Sequence, residues 1–197
     1  MAQVKKKSSV GGTIVFILLL AAVILGVYLS LIRDKNKTSA EVDVKFSEAD
    51  KLISRDLETD YPATVREVMV YYSKITKCLY SDDISDSQLI ELTDKIRGMY
   101  SDELLEQNDR TEMIGLIRGE IKKYQANKMS IQSYNVEESG EIVHYKNENP
   151  PRAVVDVYFT IKHDEKEIYF ERAYEEFVLA QDSDYKWKIL GWRLTED

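Results

Sequence analysis

The sequence predicts an α+β fold behind an N-terminal transmembrane helix, with further helices packed against a curved antiparallel sheet. Three observations predict it. Residues 13–32 carry no charged side chain and are almost all apolar. From Phe46 to Tyr124 the apolar residues recur at spacings of three and four, the period of amphipathic helices. Beyond Met129 they alternate, the period of strands. Helices first and strands afterwards is the order of an α+β domain.

The first element is the anchor. Twenty helical residues rise about 30 Å, the thickness of a bilayer core. The run is longer than the apolar region of a cleaved signal, and no small-x-small site ends it. Apolar residues continue through Val27, Tyr28, Leu29, Leu31 and Ile32, and no cysteine stands near its end to accept a lipid. An uncleaved single-pass anchor in the lipid bilayer is therefore expected, with a cleaved signal as the alternative. Lys5, Lys6 and Lys7 precede the run, while Arg33, Lys35 and Lys37, with Asp34 among them, follow it. Positive charge thus nearly balances across the membrane. The compact lysine block favours residues 1–12 as a cytoplasmic tail, which puts the C-terminal domain outside the cell membrane. Ala22, Gly26 and Ser30 recur every four residues and offer a face on which two copies could pair as a homodimer, although such spacing is also common by chance.

Residues 33–45 read as a charged linker and 46–197 as an extracytoplasmic domain. The whole chain has 27 Lys and Arg against 35 Asp and Glu; setting aside the six basic residues and one acidic residue that flank the anchor leaves 21 against 34, a formal charge of −13 on residues 38–197. A domain so acidic repels phosphate backbones and anionic lipid, which argues against nucleic acid as a partner. Cys78 is the only cysteine, so neither an intramolecular disulfide nor a cysteine zinc site can form. It reads as a small buried apolar residue.

Within the domain, Phe46, Ala49, Leu52, Ile53 and Leu57 predict a first helix. Pro62 marks the first turn of a second, with Asp60 as its expected cap, and Val65, Val68, Met69, Tyr72, Ile75 and Leu79 form its stripe. Ser85 and Gln88 fit a capping box ahead of Leu89, Leu92, Ile96 and Met99. Ser101 opens a short helix with Leu104 and Leu105. Asp109 and Glu112 start the last helix, which carries Met113, Leu116, Ile117, Ile121 and Tyr124 and ends at Asn127. Met129 to Val136 and Glu141 to Tyr145 read as short strands joined near Gly140. Pro150-Pro151 opens a new segment in which Val155, Val157, Phe159 and Ile161 alternate. His163 to Lys166 reads as a polar turn, Ile168 to Leu179 as a long strand, and Asp182 to Asp184 as the next turn. In the last strand the alternation of Trp187 and Ile189 slips one step to Trp192 and Leu194 at Gly191, which predicts a β-bulge.

This order of elements, closed by Trp187-Lys188-Ile189-Leu190-Gly191-Trp192, resembles the cone-shaped, cystatin-like fold of the nuclear transport factor two superfamily. More narrowly, Asp60 to Val68, Tyr71-Tyr72, Cys78 and Met99 to Asn108 are similar to an uncharacterised family of single-pass membrane proteins of Gram-positive bacteria. The resemblance covers about residues 46–197 and implies helices set into a curved sheet with a concavity at one end. It brings no activity with it, because that superfold hosts enzymes, transport factors and scaffolds alike.

No catalytic, cofactor-binding or metal-ligating constellation stands out. His163 reads as a solvated turn histidine and His144 as a sheet-surface histidine that could line the concavity. Asp82-Asp83, Glu137-Glu138 and Glu175-Glu176 read as solvated charge, lacking a calcium-loop pattern. Gly11-Gly12, Gly115 and Gly119 form no phosphate loop. Among 13 tyrosines, Tyr61, Tyr71, Tyr72, Tyr80 and Tyr100 cluster at the ends and faces of predicted helices. They serve either as core packing or as an aromatic pocket or partner surface, to which His144 could contribute. The expectation is a non-enzymatic, membrane-anchored binding or scaffold domain for a protein or small ligand, without a cofactor. The alternatives are a structural subunit of a bacterial secretion or conjugation machine, whose inner-membrane components share this layout, and a small-molecule isomerase or dehydratase.

Overall fold

In a computed structural model of the chain, residues 47–164 and 167–196 are described. By its contacts the chain falls into two units, Met1–Lys45 and Phe46–Asp197, and everything described belongs to the second. The predicted anchor, with Ala22, Gly26 and Ser30, lies outside the described residues. Among those residues no helix is long and apolar enough to cross a membrane.

Five helices come first: α1 Glu48–Ser54, α2 Val65–Ser81, α3 Asp86–Arg97, α4 Asp102–Gln107 and α5 Arg110–Ala126. Each begins at a polar residue whose side chain accepts a backbone N–H of the first turn, the groups a helix leaves unpaired. Ser47, Ser85, Ser101 and Asp109 do this for α1, α3, α4 and α5. The expected cap of α2 is corrected. Thr64, not Asp60, caps it, in a reciprocal box with Glu67. Pro62 lies two residues ahead of that cap, and Asp60 instead accepts from Arg55. Helix α1 is also shorter than its apolar stripe, because Arg55 leaves the helical region and starts a turn.

Five strands follow: β1 Met129–Val136, β2 Val143–Tyr145, β3 Arg152–Asp164, β4 Ile168–Gln181 and β5 Trp187–Thr195. All pairings are antiparallel, in the order β1-β3-β4-β5. Strands β1 and β2 do not pair with each other; both lie along one edge of β3, with β2 beyond the end of β1. The other edge of the sheet, at β5, is closed in part by residues 99–101. There the Ser101 N–H donates to the Ile189 carbonyl and the Ile189 N–H to the Met99 carbonyl, which blunts an otherwise open edge.

One face of the sheet carries the core. Ala153, Val155, Val157, Phe159 and Ile161 alternate as buried residues of β3, and Phe177, Leu179 and Ile189 extend that face. Against them pack Val68, Met69, Ile75 and Leu79 of α2 and Leu92 of α3, all buried. Cys78 joins the same cluster, and burial lifts its thiol to about 12, so it is an inert packing residue. His163 corrects the turn assignment. It continues the buried phase of β3, is 8% exposed, stacks on Tyr169 with ring centroids 4.2 Å apart, and sets Nε2 3.1 Å from Glu171 Oε2.

Two bulges bend the sheet. In β1 the register slips between Ile131 and Ser133. In β5, Val178 faces Gly191 while Leu179 faces Ile189, so Leu190 is the extra residue. The second bulge has a direct consequence for the site. It returns Trp192 and Leu194 to the face already held by Ile189, opposite Phe177 and Glu175.

Candidate functional site: an aromatic cavity around Glu175

Helices α2 and α5 do not close fully onto the sheet. Between them and β1, β3, β4 and β5 lies a partly open cavity of about 560 Å³, within the usual size for small-molecule sites. Tyr72, Thr76, Leu79 and Tyr80 of α2 form one wall, and Ile117, Glu120 and Tyr124 of α5 another. The floor is the inner face of the sheet, with Ile131, Phe159, Ile161, Ala173 and Glu175. Tyr100 and Trp192 close the far side. The rim carries apolar side chains in water: Leu116 is 63% exposed, Leu194 75% and Trp192 41%. Single exposed apolar residues need no explanation, but three around one opening are unusual for an idle surface.

Aromatic rings define the lining. Tyr72 meets Phe177 edge-on with centroids 5.2 Å apart. Tyr80 and Tyr124 lie 4.8 Å apart and Tyr100 and Trp192 5.9 Å apart. The Tyr80 hydroxyl donates to Glu120 Oε2 at 2.6 Å. Burial raises the pKa of Tyr72, Tyr80 and Tyr100 well above the ordinary range and raises that of Tyr124 as well. All four are therefore neutral phenols at physiological pH, able to donate or accept.

Glu175 is the chemical centre of the cavity. In β4 it shares a phase with Ala173, Phe177 and Leu179, and it faces Val157 on one side and Leu194 on the other. It thus stands half-buried on the face of the sheet that carries the core and the cavity. Among the described residues no hydrogen bond or ion pair is made to it, and burial alone pushes its pKa up to about 7. A carboxyl without a partner in a largely apolar setting is costly to ionise. Such groups concentrate at functional sites.

The residues singled out in the sequence fall in separate places. The structure brings Tyr72 and Tyr100 together on the cavity, with Tyr80 beside them. Tyr71 is buried between helices, donating to the Leu52 carbonyl at 2.7 Å, and burial lifts it to about 12. Tyr61 packs against β5, where its hydroxyl donates to the Trp187 carbonyl at 2.7 Å and Lys188 Nζ lies 4.6 Å from its ring centroid. His144 is on β2, edge-on to Trp187 at 5.8 Å, in a small hollow with Thr64 and Ile142 and away from the tyrosine cavity. Glu175 departs from the expectation of solvated charge in a Glu-Glu pair, because its strand phase sets it half-buried on the cavity side of the sheet. Its signal in the sequence was its phase with Phe177 and Leu179. Among the described residues no group of three or more His, Cys, Asp or Glu side chains is placed to hold a metal ion.

The fold and cavity define a class: an α+β domain whose helices and curved antiparallel sheet hold a half-open aromatic cup. The chain belongs to the family described as "Domain of unknown function (DUF6715)", which matches residues 1–192. Comparison with curated proteins gives no match. Among solved structures, the chain is similar to the intermembrane space region of the chloroplast protein ARC6, at 10% identity over 73% of this chain and 98% of that chain, with a TM-score of 0.37.

Proposed function

We propose that residues 46–197 form a non-catalytic binding domain, held at the outer face of a cell membrane by residues 13–32, whose ligand occupies the cavity around Glu175. The observation that carries this reading is the cavity itself. About 560 Å³ of space stands open between packed walls, lined by tyrosines that offer apolar faces and polar tips. The resemblance to cone-shaped domains of single-pass membrane proteins of Gram-positive bacteria supports the same layout. A fragment library screened by ligand-observed NMR against the full chain in lipid nanodiscs tests it. Hits should compete with one another and vanish in an Ala173→Trp variant, in which the floor is filled. Hits that persist in that variant would move the binding site elsewhere. An alkaline phosphatase reporter at the C-terminus tests the orientation; it should be active, and an inactive but well-expressed fusion would reverse it.

One observation favours a second reading, a small-molecule isomerase or dehydratase. A carboxyl with a pKa of about 7 is matched to proton transfer near neutral pH, and neutral phenols beside it could hold a developing oxyanion. Conversion of a bound hit, lost in Glu175→Gln while binding is kept, would establish it.

A further inference from the structure

Resting on the cavity reading, we propose that the ligand is an organic cation: an amine or quaternary ammonium on an apolar body, its charge beside Glu175 and its body against the tyrosine wall. Three observations on the cavity converge on this class. The first is charge. The ionisable side chains that line the space are the tyrosines and two carboxyls, Glu175 and Glu120, and no lysine or arginine lines it among the described residues. Arg97 stands behind that lining, where it donates to the Asn108 carbonyl and lies 3.9 Å from Met113 Sδ, so its guanidinium is already held by the wall. An anionic ligand would face two carboxyls with no cation lining the space among the described residues, which is unfavourable in a partly desolvated site.

The second is the unmet need of Glu175. Glu120 already accepts the Tyr80 hydroxyl, but Glu175 has no partner among the described residues. A neutral apolar ligand would strip water from that carboxyl and return nothing, whereas an ammonium supplies both charge and hydrogen bonds. The third is the geometry of the rings. Tyr72, Tyr80, Tyr100 and Tyr124 line the same cavity as Glu175, with Tyr80 against Tyr124 and Tyr100 against Trp192. One cavity therefore holds a carboxyl and several aromatic rings. Ring faces attract cations, most strongly where water is excluded. The acidic domain around the mouth adds long-range attraction for a positive ligand.

The test uses the full chain in zwitterionic phosphatidylcholine nanodiscs at pH 8, with empty nanodiscs as the blank. Benzylamine, benzyl alcohol and benzoate share one ring and differ in charge, and each is titrated by calorimetry. Losing a hydrogen bond to a charged group weakens binding roughly tenfold or more. Benzylamine should therefore bind at least about tenfold tighter than benzyl alcohol, with benzoate weakest. Glu175→Gln should remove the preference for the amine and leave the alcohol's affinity in place; Tyr124→Leu should weaken the amine more than the alcohol. Equal or tighter binding of the alcohol or benzoate, or a preference for the amine that survives in Glu175→Gln, overturns the cation while leaving a ligand cavity standing. Absence of binding by all three probes also overturns the cation, and the fragment screen then decides the cavity separately.

Discussion

Replacing Glu175 by glutamine should stabilise the domain, and by an amount that depends on pH. Glutamine keeps the shape of the side chain and removes its titration. In the folded chain the carboxyl is raised from 4.5 to about 7 by burial. That rise corresponds to about 3 kcal/mol of preference for the protonated form. The raised value means that the folded state holds this proton more tightly than the unfolded state does. Below about pH 4.5 the carboxyl is protonated in both states and costs nothing. Between about 4.5 and 7 the folded state must give up a proton it favours, and stability falls as pH rises; above about 7 the cost is fully present. Water reaches the cavity mouth, so about 3 kcal/mol is an upper figure. Urea unfolding of wild type and Glu175→Gln at pH 4 and pH 8 measures the difference. The variant should be more stable at pH 8, with a midpoint about 1–2 M higher for a slope typical of this size, and nearly equal to wild type at pH 4. Comparing the two proteins at each pH cancels the other carboxylates. Equal stability at pH 8, or a difference that does not change with pH, would refute a partnerless carboxyl in the cavity.

Other substitutions probe the frame and the anchor. Thr64→Ala removes the capping hydroxyl of α2 and frees Glu67 from its box, which should cost about 1 kcal/mol and lower the thermal midpoint by about 2–4 °C. Leu92→Ala, at a position with no exposure between α3 and the rest of the core, should cost about 2–5 kcal/mol in denaturant unfolding, whereas Leu116→Ala on the rim should stay within about 0.5 kcal/mol of wild type. Gly26→Ile should weaken self-association of the anchor in a membrane reporter assay; an unchanged signal would end homodimerisation through the face of Ala22, Gly26 and Ser30.

The frame of this domain is written locally. Helices α3, α4 and α5 start at Ser85, Ser101 and Asp109 because a short polar side chain there answers unpaired N–H groups, and that pattern can be read along the chain. The β5 bulge showed as a phase slip between Ile189 and Trp192. Where the reading went astray, two local signals competed. Asp60 and Pro62 look like a helix start, but Thr64 and Glu67 make the reciprocal box. His163 sits in a polar run, yet its parity with Val155 to Ile161 puts it inside. Glu175 is the instructive case. Its chemistry says solvent and its parity with Phe177 and Leu179 says interior, and parity prevails because a strand cannot rotate one side chain independently of its neighbours. The cavity was not legible at all. It is a volume left unfilled by α2, α5 and four strands remote in sequence, and nothing along the chain records an absence of packing. For the same reason Tyr72 and Tyr100 could not be separated from Tyr61 and Tyr71, which share their composition and not their surroundings.

The most direct test of the account is methyl NMR of the full chain in nanodiscs, with isoleucine and leucine methyls labelled, while benzylamine is added. A ligand seated in the cup should shift Leu79, Ile117, Ile131 and Ile161 together, along one saturating curve, and leave Leu52 and Ile142 in place. Shifts confined to the outer surface, or none in these four at saturating concentration, would contradict a binding site around Glu175.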